Sequence, residues 1–159
     1  MFRSTLVCIL ITGLLLSACK NPGALVDEYT PVEQNNWTYL KKVRVAVKVE
    51  NQTVPYHVFI NLRHTADYRY SNIYIRIRQI NPDKSTKLFR KEFRLANPDG
   101  EWLGTGSGNL YSYQLPIYLN YRFPAKGTYI FELEQNMRDN PLKEITDVGL
   151  RVEEASAKN

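Results

Sequence analysis

A chain of 159 residues carrying a net charge of +5 is long enough for one domain with an ample core and gives no reason to expect a second. Its positive excess is mild and no run of Lys and Arg dominates, which argues against the footprint of a nucleic-acid binder. Both of its cysteines, Cys8 and Cys19, fall near the N-terminus, which excludes a disulfide framework in the remainder of the chain.

The chain opens with Arg3 and an apolar run from Leu6 to Leu16. A basic start, a short apolar middle and small residues before a cleavage point make a secretory signal, and the run is too short to span a bilayer comfortably. Leu16-Ser17-Ala18-Cys19 closes that run and resembles the bacterial lipobox, whose cysteine is acylated at sulfur and then at its new amino group. Residues 1–18 are therefore expected to be a removed signal peptide. Cys19 is the expected lipidation site, carrying palmitate-type chains that anchor the mature domain to a membrane; two or three chains hold far more firmly than one. Residues 19–36 read as a lipidated tether, because Asn21-Pro22-Gly23 and Pro31 interrupt any apolar period.

From Trp37 the pattern changes to period two. Val43, Val45, Val47 and Val49 share one face, with Arg44, Ala46 and Lys48 on the other. Val58, Ile60 and Leu62 repeat the alternation, opposite Asn61 and Arg63. Ile73, Ile75 and Ile77 do so again, opposite Tyr74, Arg76 and Arg78. Lys87 to Leu95 is a weaker strand with Phe93 and Leu95 inward, closed by the turn signal Asn97-Pro98-Asp99-Gly100. The longest alternation sends Tyr111, Tyr113, Leu115, Ile117, Leu119, Tyr121 and Phe123 to one side. Within it, Pro116 marks an edge or a bulge, since it has no N–H for a ladder. Tyr129, Phe131 and Leu133 come next, and Val148, Leu150 and Val152 close the pattern. About seven strands without a helical stripe predict an all-β domain over residues 37–154. The expected form is an antiparallel β-sandwich of jelly-roll or Ig-like type, with a closed barrel as the alternative. Residues 155–159 read as a flexible tail.

No constellation in the chain calls for catalysis. The glycine-rich Trp102–Gly108 stretch lacks the Lys-Ser/Thr of a phosphate loop and precedes a strand rather than a helix, so it reads as a flexible loop. His57 and His64 are an odd number of residues apart, on opposite faces of a single strand, and offer too few ligands for zinc. Glu132 and Glu134 share a strand face about 7 Å apart, but carboxylates on an outward face are usually solvated. Asp139, Glu144 and Asp147 lack the spacing of a calcium loop. The expectation is a non-enzyme with no cofactor and no metal. Among the 11 tyrosines, parity turns Tyr113 and Tyr121 inward and Tyr74 and Tyr118 outward. Tyr74, Arg76 and Arg78 then form an outward stripe of the residue types that dominate protein contacts, the candidate partner-contact surface.

Several stretches together resemble the GldH family of gliding-motility lipoproteins of Bacteroidetes. They are Tyr68-Arg69-Tyr70-Ser71-Asn72-Ile73, Trp102-Leu103-Gly104 with Gly106 and Gly108, and Phe123-Pro124-Ala125-Lys126-Gly127-Thr128-Tyr129. Gln135-Asn136-Met137-Arg138 and Asp147-Val148-Gly149-Leu150-Arg151-Val152-Glu153 complete the ordered set, together with the lipobox. The resemblance implies a non-enzymatic accessory of gliding and of the type IX secretion apparatus. Its partners would be membrane lipid, through acylated Cys19, and envelope motility or secretion proteins, not nucleic acid. The alternative is a carbohydrate-binding β-sandwich lipoprotein using exposed tyrosines. An outer-membrane anchor is expected. Lys20-Asn21-Pro22 does not resemble the acidic surface-export signal of these bacteria, and Asp27-Glu28 come late, which favours a periplasm-facing orientation.

Overall fold

The computed structural model of the chain describes residues 23–155. The signal segment, Cys8, Cys19 and residues 156–159 of the expected tail lie outside them. The architecture is a sandwich of two antiparallel sheets. One sheet has the order β1-β11-β4-β8-β7 and the other β3-β9-β5-β6. Their strands are β1 (Ala24–Pro31), β3 (Val43–Val49), β4 (Tyr56–Thr65), β5 (Asn72–Ile80), β6 (Thr86–Arg94), β7 (Thr105–Ser107), β8 (Leu110–Tyr121), β9 (Gly127–Gln135) and β11 (Ile145–Glu154). A small ribbon pairs β2 (Asn36–Trp37) with β10 (Leu142–Lys143). The sheets do not merge into a barrel, and no α-helix occurs among the described residues. No helix there is long and apolar enough to cross a membrane.

The alternations read from the sequence place the core. Val45, Val47, Val49, Ile60, Leu62, Ile73, Ile75, Ile77, Phe131 and Leu133 are all buried between the sheets, because each strand presents one parity inward. Two polar residues, Gln79 and Gln135, are buried on the same faces. The edge strand β6 carries Lys91 on its inward side. That ammonium donates to the Pro116 carbonyl of the opposite sheet at 2.6 Å, and an inward lysine of this kind blunts an open edge. Pro116 itself lies where β7 no longer covers β8, so its missing N–H costs no ladder bond.

Two expectations are corrected. Residues 19–36 are not all tether, since Ala24–Pro31 is an edge strand paired antiparallel with β11. Its near-absence of apolar period reflects an edge strand exposed along most of its length. The long alternation in β8 also breaks. Between the Phe59↔Pro116, Val58↔Tyr118 and Tyr56↔Tyr121 pairs the register shifts twice. Each bulge adds a residue and flips the parity beyond it; Asn120 takes a left-handed φ of 54° there. Leu119, expected inward, is 58% exposed. Tyr118, expected outward, is half-buried and stacks on half-buried Tyr121 with ring centroids 4.4 Å apart. Burial pushes the Tyr118 hydroxyl pKa up to about 12.

The connections sort onto two poles. At the near pole, where β1 begins, lie the turns over residues 50–55, 81–85 and 122–126. At the far pole lie the connections over residues 66–71, 95–104 and 136–141, with the β2–β10 ribbon. The far pole is the more elaborated of the two.

Candidate partner-contact site

The outer face of the β3-β9-β5-β6 sheet carries the stripe singled out in the sequence. Tyr74, Arg76 and Arg78 do point outward from β5, opposite buried Ile73, Ile75 and Ile77. The central strand β9 sets Glu132 and Glu134 between two rows of cations. Glu132 is paired with Arg44 at 3.5 Å and Arg78 at 3.6 Å. Glu134 is paired with Lys42 at 3.1 Å and Arg76 at 3.2 Å. Register explains the arrangement, since Arg44↔Glu132↔Arg78 and Glu134↔Arg76 are direct cross-strand neighbours. The two glutamates are only 13% exposed, whereas Arg76 and Arg78 are 45% and 48% exposed. The carboxylates are thus sunk beneath a cationic outer layer. They are not the solvated pair expected from their outward parity, and a concave patch lined by Leu88, Arg76 and Arg78 lies over them.

One edge of this face continues beyond the pairs. Arg76 stands directly opposite Arg90 of β6, a like-charge juxtaposition that costs stability unless something offsets it. The Arg90 guanidinium lies 4.0 Å from the centroid of the Tyr74 ring, which provides a cation–π contact. A hydrogen bond to Glu92 raises the Tyr74 hydroxyl pKa and contributes to lowering that of Glu92, whose main partner is Asn72. Tyr74 is therefore half-buried, not a free platform.

The histidines separate as expected. His57 is half-buried, and its Nδ1 accepts from the Asn120 amide at 3.2 Å. His64 is fully buried at the far pole, boxed by Trp102, Tyr68, Tyr113 and Tyr111 with centroids 4.5 to 5.8 Å away. Its Nδ1 donates to the Thr65 carbonyl at 2.7 Å and its Nε2 lies 3.1 Å from the Tyr113 hydroxyl. Burial lowers its pKa from the ordinary value, only partly opposed by the bond to Thr65. This aromatic box was not visible in the chain, because its members come from four separate segments. Trp102 reaches it from the glycine-rich stretch. That stretch is not simply a loop, since Thr105–Ser107 pairs with β8 and Gly106 passes so close to the Leu110 backbone that a side chain would collide. Among the described residues, no group of three or more His, Cys, Asp or Glu is placed to hold a metal ion.

Comparison with known proteins agrees with this architecture at the level of family. The family model described as GldH lipoprotein matches residues 24–152, which run from the first residue of β1 almost to the end of β11. A gliding motility lipoprotein GldH homolog of Christiangramia forsetii is 31% identical over 153 residues, covering 92% of this chain and 93% of the relative. The gliding motility lipoprotein GldH of Flavobacterium johnsoniae is 29% identical over 153 residues, covering 92% and 94%. No solved structure matches the chain. A family match running the length of the sandwich, supported by relatives aligned over nearly their full length, places this chain in the GldH lipoprotein family.

Proposed function

We propose that this protein is a non-enzymatic accessory of the gliding-motility and type IX secretion machinery. In this reading it is anchored through lipid on Cys19 to the outer membrane, faces the periplasm, and works by contact through the Tyr74, Arg76 and Arg78 face. The observation that carries the proposal is the match of the whole folded region to the GldH lipoprotein family, two of whose members are named as gliding motility lipoproteins. The contact mode is supported by Glu132 and Glu134. Each carboxylate is bridged by two cations, an arrangement that sets Arg76 and Arg78 in place on the outer face. The periplasmic orientation is supported by Asp27 and Glu28, which belong to β1. Asp27 is tied to Asn61 at 2.8 Å and ion-paired with Arg151, so it serves the fold rather than an export signal.

A deletion strain tests the proposal. It is expected to lose colony spreading and secretion of type IX cargo, with both restored by the wild-type gene but not by Cys19→Ala. A deletion strain that spreads and secretes normally, or full rescue by Cys19→Ala, contradicts it.

A further inference from the structure

The two sheets of the sandwich do not match along one side. β1 and β3 are the edge strands there, and β3 packs across the core against both β1 and β11. Val26, Glu28 and Thr30 of β1 stand opposite Val152, Leu150 and Val148, which are buried in the core. They share that inward parity, yet Glu28 and Thr30 are exposed and Val26 is only half-buried. Among the described residues, the sheet that holds β3 therefore stops short of covering β1.

The edge of β3 beside this overhang is open. In an antiparallel ladder, opposed residues alternate between pairs that exchange hydrogen bonds and pairs that turn their N–H and C=O away. The Asn136 N–H donates to the Tyr74 carbonyl at 2.8 Å, one step beyond the Ile75↔Gln135 pair. Even-numbered residues of β9 thus bond to β5, and odd-numbered ones to β3. Unbroken register then commits Val43, Val45, Val47 and Val49 to β9. Arg44, Ala46 and Lys48 turn their N–H and C=O groups to the open edge, where no group among the described residues bonds to them.

The other edges are blunted. β6 points Lys91 inward, β1 has a bulge between Ala24 and Val26 and ends in Pro31, and β8 carries Pro116 beyond the reach of the short β7. β3 has none of these devices over its 7 residues. Its one safeguard is charge. A second copy adding antiparallel along its full length would set Arg44 opposite Lys48 at both ends, a like-charge pairing that destabilises a sheet. The same charges favour a strand that brings carboxylates. Arg44 shares the single charge of Glu132 with Arg78. Lys48 holds only Glu50, a pair exposed on both sides and so worth little.

We infer that an extended segment of a different polypeptide adds antiparallel to the open edge of β3, with carboxylates opposite Arg44 and Lys48 and apolar side chains turned under β1 toward Val26. The row of open N–H and C=O groups selects an extended polypeptide, since neither a lipid headgroup nor a sugar offers donors and acceptors at the spacing of a ladder. This edge borders the outer face proposed above as the contact surface and does not depend on it.

The test uses the full-length lipoprotein in nanodiscs of zwitterionic lipid. The probe is a fluorescein-labelled nonapeptide in which Glu and Val alternate, titrated by anisotropy. Its Glu residues are the ones set opposite Arg44 and Lys48, so their N–H groups make the ladder. N-methylation at the Glu residues is expected to weaken binding by about tenfold or more, while N-methylation at the Val residues is tolerated. Lys in place of Glu in the peptide is expected to weaken it by a similar factor. Ala46→Pro removes an N–H that β9 does not use and is expected to weaken binding by about tenfold. The methylated peptides act on the wild-type protein, so the test does not depend on that variant folding. Equal affinity for the two methylated peptides overturns the inference, as does wild-type affinity in a folded Ala46→Pro protein or equal binding of the Lys-containing peptide. Failure of the Glu-Val peptide to bind, while the outer face still yields cross-links in cells, overturns this inference alone and leaves the contact reading standing.

Discussion

Ile75 lies at the centre of β5, with no exposed surface, on the inward parity that its alternation with Tyr74 and Arg76 predicts. Truncating such a side chain, set between Gln135 of β9 and Lys91 of β6, leaves a cavity that its surroundings fill only partly, so Ile75→Ala is expected to lower unfolding stability by about 2–5 kcal/mol. Denaturant titration of the full chain in detergent checks this; a loss below about 0.5 kcal/mol contradicts the burial. His64 makes the other residue-scale prediction. Burial depresses its folded pKa below the ordinary 6.5. The unfolded chain therefore takes up a proton that the folded chain resists. Stability is full above the unfolded pKa and declines as pH falls toward the folded one. Between about pH 7.5 and about pH 5.5 the wild type should lose more stability than His64→Gln. Parallel losses in the two proteins would assign the titration to another group. Parity made Ile75 legible from its neighbours in the chain. His64 was legible only as not paired with His57, because its box is assembled from residues 64, 68, 102, 111 and 113, which no local period connects.

At the scale of elements, the strands recognised from the sequence were those with one face buried and one wet, such as β3 with its strict Val alternation. β1 escaped because an edge strand exposed along most of its length carries little apolar signal. In β8 Pro116 marked an edge or a bulge, and a register shift does follow it, but the consequence for parity escaped, because an inserted residue shifts parity without changing composition: Tyr118 and Leu119 exchange roles. What fixes β1 on β11 is Gly149. A Cβ there would collide with the Glu28 carbonyl, while Asn61 beside it donates to Asp27 at 2.8 Å and to that same carbonyl at 3.2 Å. Gly149→Ala should therefore push β1 away and destabilise the protein by about 1–3 kcal/mol, the range for overpacking. Limited proteolysis should then cut before Glu33 at native conditions, where the wild type resists. An unchanged digestion pattern would mean that β1 is not held through this contact.

At the scale of the whole molecule, the sandwich places its sunken glutamates and their covering arginines together on the outer face of one sheet. The stripe of Tyr74, Arg76 and Arg78 was legible as outward, but its electrostatics were not. Only the register of three strands brings Arg44, Glu132 and Glu134 to it, with Lys42 just ahead of β3 reaching Glu134. That register also decides which variants are informative. Glu in place of Arg76 and Arg78 would crowd four carboxylates together, so Gln is the substitution that removes charge without adding repulsion. The central claim is that this face is where the protein meets its partners. In-cell photo-cross-linking from position 88, where Leu88 stands exposed beside Arg76 and Arg78, tests it most directly, with the exposed position 114 on the opposite sheet as control. The account predicts discrete adducts with envelope proteins from position 88, lost when Arg76→Gln and Arg78→Gln are combined in a protein of normal abundance and lipidation, and none from position 114. Adducts from position 114 alone, or adducts from position 88 that survive the double substitution, would contradict it.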